Sequence, residues 1–559
     1  MVNTLDSHSS MQGFEPPTGY HIKNKSRNIF LLNFIFGWGT WIRTREMADS
    51  ESAALPLGYT PMYIYTLLLF SEKEKEKFKK MQKIRTRFAP SPTGYMHIGN
   101  LRTALYSYLV TKHNNGDFIL RIEDTDRQRE VAGAIGIIYD VLNDTGLNYD
   151  EGPLKPGDVG PYIQSKRLEI YQKYAHKLVE LKAAHYCFCS ETKLKDAHNN
   201  TYTFNDPCKS LSIDEAKKRI ANGEIYTIRQ TIPNTGTTTF NDAVYGTIET
   251  ENKLLDEGIL LKSDGYPTYN FANVIDDHLM KITHVVRGNE YLSSTPKYNL
   301  IYKAFNWEPP VYIHVPPVMK DEQNKLSKRN GDASYQDLIK QGFLSEAIIN
   351  YIALLGWAPV GEEEIFSLEE LVKIFSVDRI SKSPAIFDYE KLKWMNGVYL
   401  RNMSLEQFNN YALNYYQNNL RTDINYIELS KILQPRIQIL NEIPEAIDFI
   451  DSPYPFNKEL FVNKKMKTTI ENSLEALELV LPSLNNLDFD NEDSIKDKFI
   501  ELAKKHEKKN GQIMYPIRVA LTFKAFTPGG AVEIAHILGK DETIKRINNA
   551  IEELKKICS

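Results

Sequence analysis

A predicted strand, a proline-rich loop and a predicted helix follow one another from residue 84, and this unit constrains the fold most. Ile84–Phe88 has the pattern of a strand, and Leu101–Lys112 has the apolar spacing of a helix. Two prolines and a glycine in Ala89–Gly94 impose a defined turn between them. Because the backbone N–H groups of a helix start attract anions, this unit predicts a phosphate-binding site in an α/β fold.

His97, Gly99 and Asn100 lie where the predicted helix begins, so an imidazole and backbone N–H groups could face a phosphate. An isolated histidine more often caps a helix or lies in the core. Here His97 follows a defined turn and precedes a glycine. This context favours a role for His97 in binding a nucleotide.

Carboxylates follow a second predicted strand in Phe118–Asp126. Open α/β sheets bind ligands at the carboxyl ends of their strands. Three acidic residues alone would more often form a solvated turn. Their position after a predicted strand instead favours a ligand-binding site at the end of that strand.

Two cationic features occur further along the chain. Thr283–Leu292 reads as a strand ending in a glycine turn, and within it Arg287 carries a planar, permanently charged group that suits a carboxylate. Lys325–Arg329 contains three cations in five residues. Such a short run is usually a solvated face, but beside a phosphate site it could neutralise a triphosphate.

Together these motifs resemble the class I aminoacyl-tRNA synthetases, in the form carried by bacterial glutamyl enzymes. Arg87–Asn100 resembles the HIGH motif of that family, with Asn100 at the place of the last histidine. Thr283–Leu292 resembles the RGxE element, and Lys325–Arg329 matches the KMSKS loop. The resemblance runs from Met81 to nearly the C-terminus.

The resemblance implies an enzyme that uses ATP and Mg²⁺ to convert L-glutamate into glutamyl-adenylate, and then transfers glutamate to the 3′ end of tRNA-Glu. It implies catalytic roles for His97, Gly99, Asn100, Lys325, Ser327 and Lys328. It implies glutamate contacts for Arg87, Ser91, Glu123, Tyr269, Asn273 and Arg287. It implies ATP contacts for His97, Gly99, Glu290 and Lys328.

Among these residues, Glu123 would bind the substrate ammonium group, and the arginines would bind carboxylates. We expect Arg287 to select glutamate over glutamine, although Arg87 could hold the side-chain carboxylate instead. A buried tyrosine or asparagine is more often structural, so the assignments of Tyr269 and Asn273 rest on the resemblance.

The length of 559 residues predicts about two to four domains. The fold class that the resemblance implies is a Rossmann-like α/β catalytic domain with an α+β insertion that binds the tRNA acceptor end, followed by an all-α anticodon-binding domain. The expected divisions are an N-terminal extension at 1–80, the catalytic domain at 81–185 and 267–330, the insertion at 186–266, a helical stem-contact region at 331–400, and the anticodon domain at 401–559. Residues 1–80 lack steady periodicity, so we expect them to be disordered or to precede the true start.

Three of the four cysteines, Cys187, Cys189 and Cys208, resemble a zinc site found in some of these enzymes. The fourth position of that site is Ser210, and serine is a poor zinc ligand. His185 or His198 could substitute, but we assign no metal ligand. So few cysteines predict a reducing compartment, here the cytoplasm. No apolar run reaches the roughly 18 residues that cross a bilayer, so we expect no membrane contact.

Other functions are compatible with parts of this pattern. The amino-acid sequence of Ala89–Gly94 and the helical C-terminal region disfavour a glutaminyl enzyme. A short relative that glutamylates a tRNA base would lack an anticodon domain. A non-catalytic RNA-binding protein would leave the HIGH-like and KMSKS-like elements unexplained. We expect a monomer, and the sequence leaves open whether tRNA-Gln is also charged.

Overall fold

The computed structural model describes residues 83–126, 131–189, 206–326 and 334–558. The predicted N-terminal extension at 1–80 lies outside the described residues. So do Ser327 and Lys328 of the KMSKS-like loop, and His198. None of the helices in the described ranges is long and apolar enough to span a membrane.

Strands and helices alternate in the first part of the described chain, and helices dominate afterwards. The strands are β1 (Arg85–Phe88), β2 (Asp117–Leu120), β3 (Ala184–Cys187), β4 (Thr227–Gln230), β5 (Thr237–Asp242), β6 (Gly246–Glu251), β7 (Ile259–Leu261), β8 (His284–Gly288), β9 (Val311–Val315), β10 (Val318–Met319) and β11 (Ala385–Ile386). The first helices are α1 (Ile98–His113), α2 (Ala134–Asp144), α3 (Leu168–Glu180), α4 (Ile213–Ala221), α5 (Tyr269–Leu279) and α6 (Thr295–Ala304).

The remaining helices follow the KMSKS-like loop. They are α7 (Tyr335–Lys340), α8 (Ser345–Ala353), α9 (Leu368–Ile374), α10 (Tyr389–Asn402), α11 (Leu405–Asn419), α12 (Tyr426–Leu433), α13 (Ile443–Ile447), α14 (Ile470–Leu484), α15 (Glu492–Lys505), α16 (Asn510–Thr522) and α17 (Ala531–Cys558). The last of these is two helices that meet at Gly539, whose φ is 73°.

Two sheets with parallel strands, β1-β2 and β6-β5-β9-β8, lie edge to edge in the predicted catalytic domain, and we call them together the catalytic sheet. β1 pairs with β2 from Arg85↔Asp117 to Phe88↔Leu120, and β8 pairs with β9 along its whole length. On the free edge of β1, the backbone N–H of Thr283 donates to the carbonyl of Arg85 at 2.9 Å, which brings β8 beside β1. The carboxyl ends of these four strands therefore meet at one edge of the sheet.

The predicted insertion is distributed over two sheets. β3, β4 and β7 form an antiparallel sheet of their own, in the order β3-β4-β7. β5 and β6 form a hairpin, and β5 joins the catalytic sheet beside β9 through the pair Asp242↔Tyr312. The sequence did not predict this pairing, because it depends on a contact between residues 70 positions apart.

The segment after the KMSKS-like loop shares a hydrophobic core with the catalytic sheet. Ile348 and Ile352 of α8 pack in the same cluster as Leu101 and Leu105 of α1. The Tyr106 hydroxyl of α1 donates to the carbonyl of Leu355 at 3.0 Å. This packing fixes α1, and with it the HIGH-like residues, against the C-terminal half of the chain.

The C-terminal helices surround a separate core, and a buried arginine ties them together. Arg546 is 1% exposed, and its guanidinium donates to the carbonyls of Phe449 and Leu521 at 2.7 Å and of Ile450 at 2.6 Å. Its Nε also donates to Glu542 at 2.8 Å. One side chain thus satisfies three buried carbonyl groups from two chain segments.

We expect Arg546→Lys to destabilise the C-terminal helices. A lysine cannot reach the same three carbonyl groups with one rigid fork, so buried acceptors lose their donors. The free energy of unfolding should fall by about 2 kcal/mol, which lowers a calorimetric midpoint by roughly 4 to 8 °C. Exposed Lys545→Arg is the matched control, and equal midpoints for the two variants would contradict the argument.

Candidate active site

The loop after β1 is shaped by a glycine and by backbone hydrogen bonds. Gly94 has a φ of 105°, a left-handed conformation that strains any residue with a side chain. The backbone N–H of Glu123 donates to the carbonyl of Pro90 at 3.0 Å, which ties this loop to the segment after β2. Ser91 is exposed on the loop. The two predicted ligand-binding segments are therefore adjacent.

His97 caps the helix that begins at Ile98. Its Nδ1 accepts from the backbone N–H of Gly99 at 3.0 Å, and its Nε2 lies 3.1 Å from the carbonyl oxygen of Leu326. A nitrogen that accepts carries no proton, so the neutral imidazole has its proton on Nε2 and donates to Leu326. The histidine of the HIGH-like motif thus contacts the residue that precedes Ser327 and Lys328.

A side chain at Gly99 would crowd that imidazole. A Cβ at this position would lie 3.2 Å from the Nδ1 of His97. Asn100 is exposed in the first turn of α1, and its backbone N–H donates to the carbonyl of His97 at 2.9 Å. The helix predicted over Leu101–Lys112 therefore begins three residues earlier, because His97 supplies the cap.

Two further contacts join the HIGH-like and KMSKS-like regions. The backbone N–H of Met96 donates to the Gln336 side chain at 3.1 Å, and the backbone N–H of Tyr335 donates to the carbonyl of Met96 at 2.9 Å. Lys325 is exposed and forms an antiparallel bridge with Met319. Described residues before and after the KMSKS-like loop therefore contact His97 and Met96.

Four buried charged residues form a cluster near the carboxyl ends of β1 and β2. They are Arg87, Arg121, Glu123 and Asp277. Asp277 Oδ1 accepts from Arg87 Nε at 3.0 Å and from Arg121 Nη1 at 2.7 Å. Arg121 also donates through Nη2 to Glu123 at 3.0 Å and is completely buried. The cluster therefore links two of the residues predicted to bind glutamate, Arg87 and Glu123, through one aspartate and one arginine.

In this cluster, burial and the neighbouring arginines shift the pKa values of the carboxylates in opposite directions. Burial raises the pKa of Glu123, while Arg121 and Arg87 act to lower it. Burial would also raise the pKa of Asp277, but Arg87 and Arg121 outweigh it and hold this pKa below its ordinary value. Asp277 therefore stays ionised and keeps both arginines in place.

Sequence reasoning missed Arg121 and Asp277, although both left a signal. Arg121 stands between apolar Leu120 and Ile122 at the end of a buried strand, and Asp277 follows Val274 and Ile275 on a buried helix. A charged residue in such an apolar setting needs a buried partner. The sequence alone does not indicate which partner.

Arg287 lies beside this cluster in a different environment. It is 4% exposed, and its Nε donates to His314 Nε2 at 3.0 Å while its Nη2 donates to Thr295 Oγ1 at 2.7 Å. The ring centres of Tyr291, Tyr298 and Tyr312 lie 5.4, 4.8 and 5.3 Å from it. No carboxylate in the described ranges forms an ion pair with Arg287, so this buried cation has only neutral contacts.

Tyr269 and Asn273 lie on the first turns of α5 and border the same space. The rings of Tyr269 and Tyr291 are 5.1 Å apart, and burial, followed by nearby Glu123, raises the pKa of Tyr269. Asn273 is 2% exposed and donates to the carbonyl of Tyr269 at 2.7 Å. Glu290 is exposed next to β8. The predicted glutamate-contact residues other than exposed Ser91 thus converge around the buried charge cluster.

A second cluster brings together Cys187, Cys189, Cys208 and Asp206, whose ligand atoms all lie within 4.8 Å of one another. The sulfurs of Cys189 and Cys208 are 3.8 Å apart. His185, one of the two substitutes considered from sequence, contacts Asp206 Oδ2 at 3.2 Å. The sequence did not single out Asp206 as a ligand.

Comparison with known proteins identifies the family. Residues 83–394 match the family described as tRNA synthetases class I (E and Q), catalytic domain, and residues 403–551 match an anticodon binding domain. The chain belongs to the class I tRNA synthetases of the E and Q type. This confirms the predicted fold class of a class I catalytic domain followed by a helical anticodon domain.

Individual relatives of this synthetase are glutamate–tRNA ligases. The enzyme of Clostridium botulinum strain Hall is 56% identical over 481 residues, which cover 85% of this chain and 99% of the relative. The enzyme of Clostridium tetani is 56% identical over 479 residues, which cover 85% of this chain and 98% of the relative. A crystal structure of a glutamate tRNA ligase from Elizabethkingia meningosepticum in complex with its amino acid is similar, with a TM-score of 0.77, 35% identity, and coverage of 85% of this chain and 100% of that one.

We expect Gly99→Ala to slow amino-acid activation in this synthetase. The added methyl group would crowd the His97 imidazole and weaken its contacts with Gly99 and Leu326. Adenylate formation, measured by pyrophosphate exchange in the presence of tRNA, should slow about tenfold, or about 1.4 kcal/mol. Gly136→Ala is the control, because this exposed helical glycine has open space around its Cα. Equal loss in both variants would refute a specific effect on His97.

Proposed function

We propose that this chain is an ATP-dependent glutamate–tRNA ligase that activates L-glutamate and transfers it to tRNA-Glu. The observation that carries the proposal is that the buried Arg287 has no carboxylate ion-pair partner among the described residues. Tyr269 lies within electrostatic reach of both Arg287 and Glu123. A buried charge is costly unless it is paired. A substrate carboxylate would supply the missing partner, and the relatives named above act on glutamate.

The substrate's charges match those of the pocket. Glutamate has one ammonium group and two carboxylates. Glu123 would accept from the ammonium group, and Arg287 would hold the side-chain carboxylate. Arg87 donates through Nε to Asp277 and through Nη1 to the carbonyl of Val286, so its Nη2 could contact the substrate's other carboxylate. Tyr269 and Asn273 would close the pocket, and Ser91 would orient the ligand from the loop.

The reaction would proceed in two displacement steps. An oxygen of the glutamate α-carboxylate attacks the α-phosphorus of ATP, and pyrophosphate leaves. A hydroxyl of the terminal adenosine of tRNA then attacks the acyl carbon, loses its proton, and AMP leaves. No side chain forms a covalent intermediate, so orientation and charge neutralisation supply the rate enhancement.

The residues around α1 would hold ATP during the first step. His97, Gly99 and Asn100 lie at the start of α1, where the helix dipole favours a phosphate. Lys325, together with Ser327 and Lys328, would neutralise the charge on the departing pyrophosphate, and Glu290 would contact ATP. Mg²⁺ would bind the triphosphate oxygens, because this hard cation prefers oxygen ligands. We propose these roles from the family's motifs and from the contact between His97 and Leu326.

The rest of the chain would bind tRNA. The segment 186–266 would hold the acceptor end, 331–400 would contact the stem, and the helices from 401 onward would bind the anticodon. We propose a cytoplasmic monomer. Charging assays with tRNA-Glu and tRNA-Gln, each supplied alone, would determine whether the enzyme accepts one tRNA or both.

We also propose that Cys187, Cys189, Cys208 and Asp206 hold a zinc ion with a structural role. Tetrahedral zinc with sulfur at about 2.3 Å brings two sulfurs to about 3.8 Å from each other, and the sulfurs of Cys189 and Cys208 are 3.8 Å apart. Cys208 Sγ also accepts from the backbone N–H of Phe188 at 3.4 Å. Three thiolates and a carboxylate are suitable ligands for zinc. Asp206 would supply the fourth ligand in place of Ser210, which is a poor zinc ligand.

Replacing Arg287 with Gln tests the proposed amino-acid specificity. Glutamine keeps hydrogen-bond donors but removes the charge, so kcat/KM for glutamate should fall about a hundredfold or more. The value for glutamine should fall less or rise. Steady-state charging kinetics with both amino acids and one tRNA measure this change.

Arg87→Gln and Lys303→Ala are the comparisons for that experiment. If Arg87 holds the side-chain carboxylate, Arg87→Gln will change selectivity and Arg287→Gln will not. Lys303 is exposed on α6, and its replacement should change kcat/KM neither for glutamate nor for glutamine. Equal losses for glutamate and glutamine in Arg287→Gln would show that Arg287 does not discriminate between them.

The zinc proposal predicts about one zinc ion for each chain, measured by mass spectrometry of the purified protein. Asp206→Ala should raise the metal's dissociation constant by at least tenfold, whereas Ser210→Ala should not change it. Cobalt-substituted protein should show thiolate-to-metal absorption. Protein without bound metal and without cobalt absorption would exclude the site.

A further inference from the structure

A buried hydrogen-bond chain leads from Asp242 through His314 to Arg287. His314 is completely buried on β9, and its Nδ1 lies 2.6 Å from Asp242 Oδ2. Its Nε2 lies 3.0 Å from Arg287 Nε. A guanidinium nitrogen can only donate, so His314 Nε2 is an acceptor and carries no proton. The proton of the neutral imidazole is then on Nδ1, which donates to Asp242.

Asp242 is held so that it can only accept from this imidazole. Its Oδ1 accepts from the backbone N–H groups of Val244 and Tyr245 at 2.9 and 2.8 Å. Its Oδ2 also accepts from the backbone N–H of His314 at 3.1 Å. The opposite tautomer would turn an imidazole lone pair toward the carboxylate and an N–H toward Arg287. The turn between β5 and β6 therefore fixes the tautomer of His314.

Thr295 completes the support of Arg287 on the same side. Its Oγ1 donates to the carbonyl of Tyr291 at 2.8 Å and accepts from Arg287 Nη2 at 2.7 Å. Thr295 Oγ1 and His314 Nε2 are only 3.4 Å apart, so both contact the edge of the guanidinium formed by Nε and Nη2. The end of the fork, with Nη1, has no hydrogen-bond acceptor among the described residues.

The two arginines predicted to bind carboxylates are therefore supported in different ways. Arg87 donates directly to the carboxylate of Asp277, which neutralises part of its charge. Arg287 donates to an imidazole and a hydroxyl, and the nearest carboxylate of its hydrogen-bond chain is one residue further away, on Asp242. Neutral acceptors orient a guanidinium without cancelling its charge. That charge is what distinguishes a carboxylate from an amide of the same shape.

We infer that Asp242, His314 and Thr295 are positioning residues that orient Arg287 through neutral acceptors and so set the preference for glutamate over glutamine. The inference rests on the proposed function, in which Arg287 binds the side-chain carboxylate. The pairing of β5 with β9 is what brings Asp242 to His314.

His314→Leu and Thr295→Val test the inference, because each removes one acceptor and keeps a similar volume. Each should raise KM for glutamate about tenfold or more, change kcat less, and lower the ratio of kcat/KM for glutamate to that for glutamine. KM for ATP should stay the same. His314→Gln can place an amide oxygen near Arg287 and should recover most of the selectivity. Unfolding midpoints of all variants separate these effects from loss of folded protein.

Two controls distinguish this inference from the proposed function. In an Arg287→Gln background, His314→Leu should cause no further loss of selectivity, because the residues act through Arg287. If Arg287→Gln leaves selectivity unchanged, the proposed role of Arg287 itself is wrong. If Arg287→Gln lowers selectivity while His314→Leu and Thr295→Val preserve it in folded protein, only the positioning role is wrong. Should His314→Leu not fold, Thr295→Val alone decides between these outcomes.

Discussion

Arg121 is completely buried between Glu123 and Asp277, and the geometry of the amino-acid pocket depends on these contacts. Asp277 also accepts from Arg87, so a single aspartate orients one arginine at the end of β1 and another after β2. Such a cluster is stable only when each charge keeps its partner, since an unpaired buried charge costs several kcal/mol. It therefore fixes the relative positions of strands that are far apart in sequence.

Most of the polar groups near the pocket are satisfied by the protein, and this makes Arg287 distinctive. The structure surrounds it with tyrosine rings and neutral acceptors. Low polarity around a cation strengthens its attraction for an anion. Under the proposed function, discrimination between glutamate and glutamine would depend on this charge, which the fold orients and which has no carboxylate ion-pair partner among the described residues.

The HIGH-like and KMSKS-like regions meet through contacts with the backbone. His97 contacts Leu326, and Met96 contacts Tyr335, so the start of α1 is joined to both described ends of the KMSKS-like loop. Further along α1, Tyr106 contacts Leu355 and anchors the helix to the following helical region. Contacts along one helix thus connect the HIGH-like region with the part of the chain that leads to the anticodon domain.

The sequence by itself determined the family, the order of the motifs and most of the proposed substrate-binding residues, because local patterns such as Ala89–Gly94 carry strong constraints on turns and helix starts. It also predicted β1 and the start of β8 to within a residue. Only the tertiary structure decided which distant residues support the site. Asp277 for Arg87, His314 for Arg287 and Asp206 for the cysteines are partners of this kind. Their pairing depends on strand order and burial over long separations in the chain, and no local periodicity encodes it.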